Sequence, residues 1–364
     1  MTSINDILKS VSPSESSLIP GDTTPFRLNV ASSINAKDVN SFGCETRLAS
    51  DSSPIDFAFN LSNTGLKNYA GGATPFESPE WTRIANICRD WGKSSIPEYS
   101  DGGALWLEFD AAMFTSKVPV PSIFMAGRSE AASDDKDRGF TIRPLEWLTD
   151  GAIATIDDLH IPESVRRHIL HCIKLTPRGA EGFHLGVMVA RRADILRLCV
   201  FGIAPAEIVE YLHAIGWSGQ TAPIEDVLRK YATLVDNVCL HIDVGEKVYS
   251  RIGIELLLSG DAWSHQPHKN DRWNTLLSRL VEGNLCSTVK AEALLDWPGV
   301  VENEVQLIER IIRDAAYAGD SVERTTLVPG VIIKGLHHIK VSISGDGDVT
   351  AKAYYGIYQV GEDG

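Results

Sequence analysis

The feature of this sequence that most constrains its fold is an alternation of apolar and polar side chains that recurs in consecutive pairs of short segments. Leu105, Leu107 and Phe109, for example, alternate with Trp106 and Glu108. A period of two residues indicates a β-strand with two different faces. The pattern predicts ten strands, at residues 44–48, 55–61, 105–110, 118–126, 183–189, 196–201, 238–244, 250–258, 331–344 and 348–359.

The segments between the strand pairs have helical periodicity. They predict helices at residues 4–11, 80–91, 162–173, 204–215, 224–235, 271–282, 288–295 and 301–317, and a polar loop at 127–143. The last strand pair is joined by Gly345-Asp346-Gly347, a turn signal. Consecutive hairpins with helices between them favour antiparallel pairing and disfavour a doubly wound nucleotide-binding fold.

Nearly every predicted strand has one aliphatic face and one face of charged, aromatic or small residues. Ten antiparallel strands curl, and closure removes their exposed edges. We therefore predict an α+β fold: about ten antiparallel strands closed into a barrel with a polar interior, surrounded by a ring of helices. We expect residues 1–24 to be a loosely ordered N-terminal segment and residues 25–364 to form a single domain. The residues expected to face the helices are Leu107, Leu185, Val187, Ile242, Ile254, Val341 and Ala353.

Composition and charge exclude some functions. The chain has 364 residues, of which 43% are hydrophobic and 23% charged, and its formal net charge is −14. Such an acidic chain is poorly suited to bind nucleic acid or an anionic membrane. Apolar runs are too short to span a bilayer, and the first twenty or so residues lack the apolar core of a signal peptide. We expect a cytoplasmic protein with six reduced cysteines.

Five αββα-like units, about ten antiparallel strands and an aromatic-studded polar face together resemble the ABBA-type, or PT-barrel, prenyltransferases. This family includes soluble aromatic, indole and cyanobactin-peptide enzymes. Lys352-Ala353-Tyr354 on the last strand resembles the alternating Lys and Tyr pattern with which the indole members hold a prenyl diphosphate. The resemblance implies a prenyl diphosphate donor and an aromatic small molecule or peptide as acceptor.

Prenyl transfer requires cations for the diphosphate, aromatic shielding for an allylic carbocation and a base for the acceptor proton. The predicted polar face offers residues for each requirement. The candidate diphosphate ligands are Arg47, Arg197, His338, Lys340, Lys352 and Tyr354. The candidate shielding residues are Trp106, Phe124, Phe201 and Tyr358. The candidate bases are Glu45, which leads, followed by Glu108 and Glu255.

Each assignment has a simpler alternative. The cations could be solvated surface charges, the aromatic rings could only fill the barrel, and the glutamates could form internal salt bridges. We assign no set of metal ligands. Neither His168, His171 and Cys172 nor His265 and His268 are accompanied by a second group of ligand residues that would complete a metal site. Mg²⁺ is expected only as a counter-ion of the diphosphate.

Two other functions stay open at this point. One is a non-catalytic barrel that binds a small anionic molecule or a peptide. The other is a hydrolase that uses Glu108 and Asp243.

Overall fold

The computed structural model describes residues 3–11, 18–19, 24–91, 104–113, 116–126, 161–180, 183–189, 194–258, 271–301 and 332–359. Its strands are β1 Val39–Arg47, β2 Ile55–Leu61, β3 Ala104–Phe109, β4 Ser122–Ala126, β5 Phe183–Val187, β6 Leu196–Phe201, β7 Asn237–Val244, β8 Val248–Leu257, β9 Gly299–Val301, β10 Ile332–Ile343 and β11 Val349–Gln359. Its helices of seven or more residues are α1 Ile4–Val11, α2 Asn63–Ala70, α3 Pro79–Trp91, α4 Glu163–Lys174, α5 Ile208–Ala214, α6 Ala222–Tyr231, α7 Asp271–Glu282 and α8 Thr288–Leu295.

The strands form a closed barrel. Strands β1 to β8 pair in chain order, β8 pairs with β10, β10 with β11, and β11 with β1, and every pairing is antiparallel. The short β9 lies outside this circuit and pairs with the first residues of β10. The predicted fold class is confirmed, with the ten barrel strands at the ten predicted positions.

Some boundaries differ from the prediction. Strand β1 begins at Val39 rather than near Cys44, and both β9 and α2 are additional elements. The predicted helix 301–317 begins at Val301, which instead ends β9; its remaining residues, and the predicted loop 127–143, lie outside the described residues.

The apolar core lies between the barrel and the helices. The seven residues expected to face the helices are all fully buried, at 1% exposure or less. Trp81 and Ile84 of α3, with Trp273 and Leu276 of α7, are buried in the same core. Burial of each large aliphatic side chain in this core stabilises the folded state by about 1.5 to 3 kcal/mol. The apolar side chains that recur every two residues along the strands and every 3.6 residues along the helices therefore pack together in one layer.

The inner face of the barrel is different. Trp106, Glu108, Phe124 and Arg197 remain partly accessible to water, although they point inward from strands whose outward neighbours are fully buried. Side chains therefore do not fill the interior completely. A ring of ten strands is wide enough for such a space, since eight are just filled by their own side chains.

The N-terminal helix α1 packs on the common core through Ile4 and Leu8. The division at residue 24 stays a prediction. All six cysteines are buried and in the free thiol form. Among the described residues, no helix combines the length and apolar character that crossing a bilayer requires.

Candidate active site in the barrel interior

The inner face collects most of the predicted site residues because strand periodicity sends every second side chain inward. Glu45 lies opposite Asp56 on β2 and Tyr354 on β11. Lys340 lies opposite Glu255 on β8 and Lys352 on β11. The inward rows of neighbouring strands are thus in register around the barrel.

Glu45 is the centre of one cluster. Its carboxylate accepts hydrogen bonds from the ammonium group of Lys352 and the hydroxyl of Tyr354. Burial acts to raise the pKa of Glu45, but the charge of Lys352 and hydrogen bonds from Asp56, Lys352 and Tyr354 outweigh it and lower the pKa below its ordinary value. Glu45 is therefore held ionised, which makes it a weak base.

Asp56 completes this cluster and was not singled out from the sequence. Its Oδ1 accepts a hydrogen bond from the backbone N–H of Ala111 at 2.8 Å, and its Oδ2 lies 3.9 Å from Nζ of Lys352. Burial and the neighbouring charge of Glu45 raise the pKa of Asp56 to about 7. Near neutral pH, Asp56 can thus donate a proton into a hydrogen bond to Glu45.

A second cluster centres on Arg197. Its Nε and Nη2 donate hydrogen bonds to the two carboxylate oxygens of Asp243, at 2.7 and 3.0 Å. Glu108 interacts electrostatically with Arg197 and Lys340. Burial, and then the charge of Glu45, raise the pKa of Glu108 above its ordinary value. Glu108 is therefore a better proton acceptor at neutral pH than Glu45.

Lys340 lies between the clusters. Its Nζ is 2.7 Å from Nδ1 of His241, and it is the one interior cation of the described residues for which no direct carboxylate salt bridge is found. Burial, and then the charge of Arg197, lower the pKa of Lys340. Because an ammonium group only donates hydrogen bonds, the charged form of Lys340 requires Nδ1 of His241 to accept.

Glu255 lies between two imidazoles. Its Oε1 is 2.6 Å from Nε2 of His241 and 3.1 Å from Nε2 of His338. The ring of His338 stacks on that of Tyr354, with centroids 4.1 Å apart. This stacking connects the Glu255 group to the Glu45 cluster.

Aromatic rings form another part of the inner face. Trp106 and Phe124 lie opposite each other on β3 and β4, and the ring of Phe201 packs edge-on against His184 with centroids 4.7 Å apart. Phe124 lies directly over Gly186, where an added Cβ would come within 2.5 Å of its ring. The absence of a side chain at Gly186 therefore determines where Phe124 lies.

Two predicted residues are not placed in the interior. Arg47 ends β1, and its half-exposed side chain lies 4.0 Å from Asp56 and 3.5 Å from the carbonyl of Pro54. It lies at the end of its strand, where the chain turns toward solvent. The side chain of Tyr358 lies outside the described part of the chain; its backbone pairs with Ser41 and Ile333.

The interior cations have carboxylate neighbours. Lys340 and Lys352 lie opposite each other across β10 and β11, while Glu45 neutralises Lys352 and Asp243 neutralises Arg197. Sequence reasoning placed the cations on the inner face without their carboxylate partners. The alternation does place Asp56 on the polar face of β2 and Asp243, considered above only for a hydrolase, on the polar face of β7.

No protein-family model matches the chain, and no curated protein matches it in sequence. Solved structures do resemble it. 5-Dimethylallyltryptophan synthase from Streptomyces coelicolor is 11% identical, with a TM-score of 0.43 over 96% of this chain and 94% of its own. AnaPT from Neosartorya fischeri is 10% identical, with a TM-score of 0.47 over 98% and 91%. NotF, solved with brevianamide F and DMSPP, is 9% identical, with a TM-score of 0.45 over 86% and 79%. These likenesses are distant, and the function of this chain has to be inferred from its own side chains.

Proposed function

We propose that this protein transfers a five- or ten-carbon allylic group from its diphosphate to an aromatic small molecule or a peptide side chain. One observation carries the proposal: the water-accessible interior of a closed barrel combines cations, aromatic rings and a carboxyl group of raised pKa. These are the three groups that prenyl transfer needs.

The diphosphate would bind to Lys340, Lys352 and Tyr354, with Arg197 nearby. Lys340 is the most available of the cations because Glu45 and Asp243 hold the other two. A bound diphosphate adds negative charge to an interior whose charges are already nearly balanced. Mg²⁺ bound to the diphosphate, or protonation of interior carboxylates, would offset that charge.

In the reaction, the carbon–oxygen bond of the allylic diphosphate breaks and its electron pair leaves with the diphosphate. The allylic carbon then forms a bond to the acceptor, whose displaced proton passes to a base. Trp106, Phe124 and Phe201 would shield the cationic carbon. We assign the base to Glu108, because its raised pKa suits proton transfer better than the lowered pKa of Glu45. Glu45 would position Lys352 and Tyr354.

The test is incubation of the protein with dimethylallyl or geranyl diphosphate, Mg²⁺ and a panel of tryptophan, tyrosine and short aromatic peptides. The proposal expects products heavier than the acceptor by one prenyl unit. Glu108→Gln should lower single-turnover transfer by about 10² to 10³. The matched control is Glu282→Gln, since Glu282 is exposed on α7 and pairs only across the surface with Arg279 at 2.8 Å.

Saturable binding of the diphosphate without any prenylated product would contradict the proposal and favour the non-catalytic barrel. A hydrolase based on Asp243 is the weaker alternative, because both oxygens of that carboxylate accept hydrogen bonds from Arg197. It would show as loss of the diphosphate or acceptor without a new carbon bond.

A further inference from the structure

Four side chains with metal-binding atoms lie together on the inner face of three adjacent strands. Cys239 of β7 lies opposite Glu255 of β8, and His241 follows two residues later on the same face of β7. The donor atoms of these three residues all lie within 4.8 Å of one another. His338 of β10 adds its Nε2 at 3.1 Å from Glu255 Oε1.

Two of these donors converge on one carboxylate oxygen. The side chains of His241 and His338 are about nine-tenths buried, and their Nε2 atoms lie 2.6 and 3.1 Å from Oε1 of Glu255. Neither Nε2 atom makes a hydrogen bond of good geometry within the described part of the chain. A bound cation would satisfy both imidazoles and the carboxylate together.

The surroundings of His338 suit a metal ligand. Its Nδ1 is 2.7 Å from Nδ1 of His337, and its ring plane is held by stacking on Tyr354. When Nδ1–H of His338 donates to His337, Nε2 carries a lone pair that can bind a metal ion. Histidine ligands of metals are oriented in this way, by donating their second ring N–H to a neighbour.

We propose that Cys239, His241, Glu255 and His338 form a binding site for a divalent transition metal, for which Zn²⁺ is the best-suited ion. One thiolate, two imidazoles and one carboxylate are the ligands of tetrahedral zinc, whereas Mg²⁺ prefers oxygen alone. This ligand set therefore differs from the oxygen ligands that a Mg²⁺ ion bound with a diphosphate would take. Neighbouring ligands of tetrahedral zinc are about 3.3 to 3.8 Å apart, as its bond lengths require, so His241 and Glu255, now at 2.6 Å, would separate by about 1 Å.

Lys340 limits the affinity of this site. Its Nζ lies 2.7 Å from Nδ1 of His241, where its positive charge opposes a dication. Removal of that charge would therefore strengthen the binding of a dication.

The test is titration of the chelator-treated full chain with Co²⁺, a spectroscopic substitute for Zn²⁺. We expect one equivalent to bind, with a thiolate-to-cobalt charge-transfer band and visible bands typical of four-coordinate cobalt. Competition with Zn²⁺ should remove both. Cys239→Ser should abolish the charge-transfer band, while the control Cys88→Ser, which alters a buried cysteine of α3 outside the barrel interior, should retain it.

Lys340→Met provides an independent check, because removal of a like charge should tighten Co²⁺ binding by about 10-fold or more. His338→Gln should weaken it by at least about 10-fold. Circular dichroism establishes that each variant is folded. Failure of the folded wild-type chain to bind Co²⁺, or a charge-transfer band that persists in Cys239→Ser, would overturn the proposal. If Cys239→Ser does not fold, unchanged Co²⁺ affinity in both Lys340→Met and His338→Gln would overturn it equally.

Discussion

The Lys352–Glu45 pair provides a quantitative test of the barrel interior. The side chains are 18% and 7% exposed, so the pair is largely removed from water. Breaking a buried ion pair by removing one partner costs about 3 to 5 kcal/mol. Lys352 retains some exposure and Glu45 can take up a proton, so we expect Lys352→Met to lower the free energy of unfolding by about 2 to 4 kcal/mol at pH 7.

The cost should depend on the charge left on Glu45. In the double variant Lys352→Met/Glu45→Gln, the buried carboxylate is gone, and we expect it to be more stable than the sum of the two single changes by about 1.5 kcal/mol or more. Because the pKa of Glu45 is lowered in the folded state, its stabilisation is complete above the ordinary pKa of about 4.3 and decreases as the pH falls below it. The difference between wild type and Lys352→Met should therefore shrink at acidic pH.

The assay is urea unfolding of the four proteins at pH 7 and at pH 3.5 to 4, monitored by circular dichroism. Lys230→Met is the matched control: Lys230 forms an exposed pair with Asp226 at 2.6 Å on α6, and its loss should cost at most about 0.5 kcal/mol. The interior pairing is refuted if the effects of the two single changes on the free energy of unfolding add to within about 0.5 kcal/mol. It is also refuted if Lys352→Met destabilises the protein no more than Lys230→Met does.

Three further outcomes follow from the interior. Asp56 has a raised pKa of about 7, so its contribution to wild-type stability declines as the pH rises from about 4 to 7. Over that range the free energy of unfolding of Asp56→Asn, measured with urea, should increase by about 1 to 3 kcal/mol relative to that of the wild type. Parallel pH profiles of the two proteins would contradict this. Gly186→Ala should displace the ring of Phe124 and lower the free energy of unfolding by about 1 to 3 kcal/mol. Gly43→Ala is the control, because its Cβ would meet only Ala58 atoms at 3.9 Å and should change stability little. Equal effects of the two changes in thermal melts would argue against the placement of the Phe124 ring. Diphosphate binding should be accompanied by proton uptake, in part at Glu108, measured by calorimetry in buffers of different ionisation enthalpy, and the absence of uptake without Mg²⁺ would refute the charge balance.

The fold was predictable from the sequence because the period of two is a local property of each strand. Leu185 and Val187 must face the same side whatever their neighbours are. Helix α2 escaped prediction because its eight residues, with Leu66 and Tyr69 as the large apolar side chains, show too short an apolar pattern. Strand β9 has three residues and is defined only by its pairing with β10.

The candidate site was predictable only in part, because alternation gives the direction of a side chain and not its partner. Register across strands distant in sequence decides that Arg197 meets Asp243 and that Lys352 meets Glu45. The pairing reversed the order of the candidate bases, since the carboxylate with the best cationic partner, Glu45, is the one held ionised. Strand register fixes both contacts, and only the contact between Lys352 and Glu45 depends on the β11–β1 pairing that closes the barrel; neither leaves a local pattern.

The proposed diphosphate site can be tested directly by a crystal structure of the protein with an unreactive thiolo analogue of dimethylallyl diphosphate and Mg²⁺. We expect the diphosphate inside the barrel, with its oxygens in hydrogen-bonding distance of Lys340 and Lys352 and the allylic chain against Trp106 and Phe124. The proposed site is wrong if the analogue binds outside the barrel, or if it does not enter the interior at saturating concentration.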